Sequence, residues 1–364
     1  MDYDIIIAGG SFSGLAVAAQ LRGKRVLLVE PNPIGRVQTS ACGTLLEVLA
    51  ASGTMDSLLQ IHEAFVLHLP HRTYELPLPD PFCTFDYHTF CQSLLEQCDV
   101  EVLRASVLGH RGHLVYTSHG AFDAGLLIDA TGWRAALAAN SRQQKKPRHG
   151  KSFGIETTLP LKEAGLHFWY DPAHLGRKNV AWIFPIGHAS RAGLASYVGE
   201  TRLKSGLIRW LEGDLGQVSN HLFGGFFPYR RQPATRGHIL CVGDAAGQCL
   251  PLTGEGIRPA LYFGTLAGQL ARAYTEGLLS EPQVLTAYRR QVAAHNGLHK
   301  FLLLAQKCLT NLPMGGVERL AAVIHRHGLF TWLMHSYRQL MDPARIVVPG
   351  SHARVVPLFE EIAL

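Results

Sequence analysis

The strongest constraint on the fold lies in the first thirty residues. Asp4-Ile5-Ile6-Ile7-Ala8 is a short apolar run, followed at once by Gly9-Gly10-Ser11-Phe12-Ser13-Gly14 and then by the alanine-rich Leu15-Ala16-Val17-Ala18-Ala19-Gln20-Leu21. A second apolar run, residues 25–29, ends on Glu30. An unbroken apolar run suits a parallel strand buried on both faces, and alanines favour helix. The segment reads as strand, glycine turn, helix and second strand, the unit that opens a dinucleotide-binding fold. Gly9 permits the tight turn out of the strand, and Gly14 lets the helix pack closely on the sheet. The helix start then offers N–H groups and a positive dipole to a pyrophosphate. Ser11 replaces the middle glycine of the usual GxGxxG and brings a hydroxyl that can bond a phosphate oxygen. Glu30 stands where a carboxylate accepts both ribose hydroxyls, which disfavours NADP in this site. This motif alone does not choose between NAD and FAD.

Two later motifs point to FAD. Residues 126–132, L-L-I-D-A-T-G, form a buried strand ending in a small-residue turn. Residues 238–242 form another strand, followed by Gly243-Asp244-Ala245-Ala246-Gly247 and by Pro251-Leu252-Thr253-Gly254-Glu255-Gly256-Ile257, where a helical pattern begins. Asp244, directly after a strand, suits hydrogen bonds to a ribityl chain or its neighbouring phosphate. The Gly254–Gly256 turn lets backbone approach a flat ring, and the helix start points its dipole where reduced flavin carries negative charge. Nicotinamide enzymes have no need of this third element.

In this order, G-G-S-F-S-G, Glu30, D-A-T-G, G-D-A-A-G and P-L-T-G-E-G resemble the p-hydroxybenzoate-hydroxylase-like flavoproteins, and within them the geranylgeranyl reductase family. Four local patterns carry the narrower resemblance: Ala41-Cys42-Gly43, Ala181-Trp182-Ile183-Phe184-Pro185 with Gly193, Gly225-Phe226-Phe227-Pro228, and the run from Gly243 to Gly256. The resemblance covers roughly residues 1–290. It departs at Thr44, where the family continues with a more polar or glycine-rich segment, and the chain is short for the family. It implies flavin contacts at Gly9, Ser11, Gly14, Glu30, Asp244, Gly254 and Gly256, with Phe12, Ser13, Pro251 and Ile257 beside them. It also places Cys42 near the flavin face as a candidate catalytic residue; the alternative is a small buried side chain.

The expected fold class is α/β: a Rossmann-like FAD-binding domain, an interleaved, mainly antiparallel sheet domain for substrate, and a helical C-terminal tail. The FAD domain is expected at 1–60, 86–132 and 229–290, the substrate domain at 61–85 and 150–228, and the tail at 291–364, broken near Pro313 and Pro343. At 364 residues with 47% hydrophobic and 17% charged side chains, the chain can bury cores of this size. The net charge of +6 has its densest cluster at Lys145, Lys146, Arg148 and Lys151, a solvated loop or a seat for phosphate or an anionic lipid head group. No nucleic-acid motif is present. Seven scattered cysteines without a CxxC pair fit a reducing cytosol rather than a disulfide framework. The nineteen histidines form no HExxH, and His325 and His327, the nearest pair, do not suggest a metal site. The N-terminus reads as already part of the fold, without a leader, and no apolar run reaches the ~18 residues of a membrane span. A cytoplasmic protein is expected, with peripheral membrane contact through the greasy tail helices as an option.

Three functions follow in order of preference. The first is a reductase that passes hydride from reduced flavin to C=C bonds of an isoprenoid-like substrate, with Trp169, Trp182, Phe184 and Phe227 as an apolar wall. The second is a flavin-dependent monooxygenase hydroxylating or epoxidising an organic substrate, with His68, His71, Arg72, Tyr74 and His188 as candidate polar anchors. The third is a flavin-binding protein without catalysis. No separate NAD(P)H fingerprint is present, so NAD(P)H or another reductant, including an electron-donor protein, is expected to act transiently.

Overall fold

The computed structural model describes residues 1–346 apart from 39, 140–149, 177, 218–220 and 327. Lys145, Lys146 and Arg148 of the basic cluster, His327 and the end of the tail lie outside the described residues.

The chain opens with β1 (Tyr3–Ala8), α1 (Phe12–Ala19) and β2 (Val26–Val29), then β3 (Gly43–Leu45) and α2 (Leu46–Ala51). A long hairpin, β4 (Leu58–Leu69) and β5 (Arg72–Phe85), leads into α3 (Tyr87–Glu96). Next come β6 (Glu101–Leu103), β7 (Val107–Arg111), β8 (Leu114–Thr117) and β9 (Gly120–Asp129). The middle of the chain supplies β10 (Lys151–Leu159), β11 (Leu166–Trp169), β12 (Asn179–Pro185), β13 (Ser190–Ser196), α4 (Lys204–Asp214) and β14 (Phe223–Pro228). Two short strands, β15 (Thr235–Arg236) and β16 (Ile239–Cys241), precede α5 (Ile257–Thr275) and α6 (Glu281–Ala294). The tail forms α7 (Asn296–Asn311), α8 (Met314–Arg326) and α9 (Leu329–Gln339).

The first sheet runs β15-β16-β9-β1-β2-β6, parallel except for β15, with the β7–β8 hairpin attached to β9. Ile5, Ile6 and Ile7 are all fully buried, as a central strand covered on both faces requires. The second sheet runs β14-β10-β13-β12-β11-β4-β5-β3 and is antiparallel except between β11 and β4. The expected fold class is therefore borne out. Gly43–Leu45, which the sequence reading placed with the first domain, pairs instead with β5 in the second sheet. In β5, Pro77, Pro79 and Pro81 donate no ladder bond, and there the register against β4 shifts between His62 and Ala64.

One face of the first sheet packs against α1, α3, α5 and α6 in the largest apolar cluster. All eight residues of α1 are buried, so its neighbours must come close on every side. On α5, Gly264 and Gly268 lie four apart on one stripe, and a Cβ on Gly264 would come within 2.7 Å of both Ala16 Cβ and the Ser13 carbonyl oxygen. The α1–α5 contact therefore has no room for a side chain at this position. Under the second sheet, Trp210 and Leu207 of α4 fill a separate cluster, a helix the sequence reading did not anticipate. Tail residues Val317 and Ala321 pack on Leu69, Tyr74 and Leu76 of the β4–β5 hairpin. Gly264→Val is expected to destabilise the protein by about 1–3 kcal/mol through overpacking. Urea unfolding measures it, and wild-type stability would show that α1 and α5 separate freely.

Candidate active site

The nucleotide motif is built from close approaches. Gly9 has φ +103°, and a Cβ there would overlap the Ala130 carbonyl oxygen at the end of β9. A Cβ on Gly14 would overlap the Gly9 carbonyl oxygen, so the start of α1 sits directly on the β1 turn. Gly243 has φ +64°, and a Cβ there would lie 2.8 Å from Ser13 Oγ. Three chain segments thus converge, backbone on backbone at Gly9 and Gly14 and backbone on the Ser13 side chain at Gly243. The first-turn amides of α1 have no partner within the helix, and the turn carries no acidic residue to repel an anion. Glu30 Oε2 accepts the Gly10 N–H at 3.0 Å and Oε1 accepts the Asn32 N–H at 3.1 Å, which fixes the carboxylate at the tip of β2. Ser11 Oγ lies 2.9 Å from the Tyr87 hydroxyl rather than capping the helix. The Phe12 ring turns into the core against Phe85, Tyr87 and Phe90, leaving only its backbone for a ligand.

Asp244 sits directly after Gly243. No hydrogen-bond donor among the described residues meets its carboxyl group, and burial pushes its pKa up to about 7. A half-buried acceptor without a donor, beside a cradle that a Cβ would fill, fits the hydroxyl-rich ribityl-phosphate chain of FAD.

The second glycine loop is held from the tail. Leu252 and Gly254 adopt φ near +68° and +67°, so the loop folds tightly back on itself. The Gln306 side chain of α7 accepts the Leu252 N–H at 2.8 Å, and the Tyr197 hydroxyl donates to the Leu252 carbonyl at 2.8 Å. Arg258, fully buried, donates to both Glu255 oxygens at 3.1 and 2.9 Å and to the Tyr337 and Arg338 carbonyls at 3.0 Å each. The Tyr337 hydroxyl donates back to Glu255. Thr253 and Gly254 stay exposed, whereas Pro251 and Ile257 are buried.

Facing this loop, one side of the second sheet carries an aromatic wall. Phe227 would lie 3.6 Å from a Cβ on Gly254, and Phe184 3.0 Å from one on Gly43. Trp182 pairs across the ladder with Gly193, whose missing side chain leaves the space the indole fills. Phe184, Phe168, Phe65 and the tail's Phe330 continue the wall through edge-to-face contacts at 5.4, 5.4 and 6.0 Å. Trp169 does not join it, which corrects the expectation for that residue. Successive strand residues point to opposite faces, and Trp169 stacks on His68 at 4.2 Å and meets Trp210 of α4 at 5.2 Å. Its neighbour Phe168 takes the place on the wall. Of the polar anchors weighed for a hydroxylase, His68, Arg72 and Tyr74 do not gather here. His68 stacks behind the sheet, and Arg72 and Tyr74 line a cleft of about 400 Å³ with His325 and Arg326.

Cys42 is fully buried with φ +56°, and its thiol donates to the Ser40 carbonyl at 3.2 Å. Burial pushes its pKa well up, so the thiol stays protonated and is neither a nucleophile nor a ready acid. The reading of Cys42 as a small buried residue fits this geometry.

A polar cluster that the sequence reading missed lies beside it. Glu156 of β10 is 5% exposed; its Oε1 accepts from Gln38 Nε2 at 3.1 Å, while Oε2 has no partner among the described residues. Arg191, also buried, donates to the Ala41 and Phe85 carbonyls at 3.1 Å each. Among the described residues, no group of three or more His, Cys, Asp or Glu side chains could hold a metal.

The two sheets and the three converging glycine turns define the fold of the FAD-binding, Rossmann-type oxidoreductases. The structure superimposes on a geranylgeranyl bacteriochlorophyll reductase-like protein from Thermoplasma acidophilum with TM-score 0.79 and 19% identity, over 94% of this chain and 97% of that one. It also matches PqsL of Pseudomonas aeruginosa, described as a probable FAD-dependent monooxygenase, with TM-score 0.63 and 14% identity over 92% and 99% of the two chains. In sequence the chain is 30% identical over 159 residues to a digeranylgeranylglycerophospholipid reductase of Methanospirillum hungatei, 37% of this chain and 39% of that protein. The chain thus spans about two fifths of the length of that curated relative. No protein-family profile matches it. The resemblance to the geranylgeranyl reductase family read from the motifs is borne out by the sequence and fold comparisons together.

Asp244→Asn is expected to gain stability relative to wild type as pH rises from about 4 to 7 in the cofactor-free protein. In that window the unfolded carboxyl releases a proton that the folded one keeps, so wild-type stability falls with pH by at most about 1.4 kcal/mol per unit. Urea unfolding of both proteins at pH 4.5 and 7 measures the difference; a constant gap would place Asp244 in a solvated setting.

Proposed function

We propose that this protein is an FAD-dependent reductase acting on C=C bonds of an isoprenoid-like substrate. The observation that carries the reading is the aromatic wall, which abuts Gly43 and Gly254 where a flavin ring is expected and offers an alkene chain an apolar bed. The reductase named among the sequence relatives supports the same choice. Gly9, Ser11, Gly14 and Glu30 would hold the adenosine and pyrophosphate end, Asp244 the ribityl chain, and the Gly254–Gly256 loop the ring. Bound and reduced, FAD supplies a hydride.

The chain's own residues do the rest. Phe227, Trp182, Phe184 and Phe168 exclude water and hold the substrate against the loop. The Arg258–Glu255–Tyr337 network keeps the loop in place, so the tail takes part in building the site. NAD(P)H or another reductant would reload the cofactor between turnovers.

The tail helices also carry exposed Phe301, Leu304, Leu320, Val323 and Trp332. Exposed Lys300, Lys307, Arg319 and Arg326 lie on the same helices. Such a surface suits peripheral contact with a membrane that holds prenyl lipids. No helix among the described residues is long and apolar enough to cross a membrane.

The test is anaerobic. The holoprotein is reduced chemically and mixed with a lipid carrying geranylgeranyl chains. The expected result is return of the oxidised flavin spectrum with a product heavier by two hydrogens per reaction. A reduced protein indifferent to the alkene, but forming a hydroxylated product once oxygen is admitted, would replace the reductase with a monooxygenase.

A further inference from the structure

We propose that Glu156 is the proton donor of the reductive step, delivering its carboxyl proton to the alkene carbon that does not receive the hydride. This rests on the reductase reading above. Reducing a C=C bond needs a hydride and a proton. The wall side chains Phe227, Trp182, Phe184 and Phe168 carry no acid, and the Cys42 thiol is buried and directed at the Ser40 carbonyl.

Strand register places Glu156 on the wall's face. Glu156 and Trp182 both pair with Gly193, from opposite sides of β13, so the carboxyl and the indole share one row of the sheet. Two positions along β10, a Cβ on Gly154 would lie 3.6 Å from both Phe227 and Trp182. Phe227 in turn borders the Gly254 loop. Glu156 is therefore one residue pair from the ring that abuts the expected flavin position.

The carboxyl is prepared for this work. One oxygen is held by Gln38; the other has no well-formed hydrogen bond among the described residues, and the Trp182 indole N–H that faces the carboxyl favours its charged form. The charged group facing it is Arg191 from β13, itself in the field of Asp86 from the cap of α3; Cys42 contributes only a neutral thiol. Burial outweighs the attraction of Arg191 and pushes the Glu156 pKa up to about 7, so a proton is present at neutral pH and can leave.

The step balances. With the hydride that bound, reduced FAD would supply going to one alkene carbon, the π pair would take the Glu156 proton at the other. The O–H electron pair stays on the carboxylate. Gln38, half-buried and bonded to Glu156 Oε1, is the route along which the proton would be returned from solvent between turnovers.

The test compares wild type with Glu156→Gln and Glu156→Asp. An infrared difference spectrum of cofactor-free protein, wild type minus Glu156→Gln at pH 6, is expected to show a protonated carboxylic acid band that titrates near pH 7. In anaerobic single turnover, Glu156→Gln is expected to slow alkene-driven flavin reoxidation by about 10²- to 10⁴-fold with unchanged FAD binding. Glu156→Asp retains an intermediate rate, and the wild-type rate falls about tenfold per unit above pH 7. A wild-type rate in Glu156→Gln, or no carboxylic acid band, overturns the proposal. If wild type shows the band yet its flavin is never reoxidised by an alkene, the reductase reading has failed, and the proton-donor role falls with it.

Discussion

The structure depends on one steric constraint: the start of α1 must touch the end of β1, the Gly243 turn and α5 with glycine on the facing side of each contact. Gly9, Gly14, Gly243 and Gly264 each stand where a Cβ would strike backbone or a packed neighbour. Close contact brings the amide-rich helix start and Asp244 to one spot, and that is where the proposed function seats the phosphate and ribityl end of FAD. An alanine at Gly9, Gly14 or Gly264 would push the elements apart, and the electrostatics of the cradle would go with the geometry.

The rest of the site hangs on that frame through the second sheet and the tail. Phe184 and Phe227 bring the sheet against the backbone at Gly43 and Gly254. Arg258 is fully buried, yet its donors are distributed over Glu255 and two carbonyls of α9. A buried ion pair of this kind gives little net stability over an apolar pair but penalises any arrangement that breaks it. It therefore fixes the tail in register with the glycine loop, and Arg338, bonded to Glu47 at 2.6 Å, extends the same clamp to α2.

Much of this was legible in the sequence, and the exceptions have physical causes. The βαβ start and the G-D-A-A-G and P-L-T-G-E-G turns are local, so their glycines announce themselves in order. Trp169 was misassigned because side-chain direction in a strand depends on register: one residue's step exchanged it for Phe168. The helix α4 was missed because its eleven residues, K-S-G-L-I-R-W-L-E-G-D, include two glycines, which mask a buried stripe of Leu207, Trp210 and Leu211. Glu156, Arg191 and Gln38 are brought together from positions far apart in the chain, and no spacing in a single segment signals them. The Glu255–Tyr337 bond spans 82 residues and was invisible for the same reason.

The central claim is that the glycine cradle and Asp244 hold FAD, and titration of the cofactor-free protein with FAD tests it most directly. Flavin fluorescence and visible absorption are followed together for the wild type and for Gly14→Val. The account predicts saturable binding of one FAD per chain, with shifted flavin bands, and loss of binding in Gly14→Val. Failure of the wild-type protein to take up FAD, or equal binding by the variant, would contradict it.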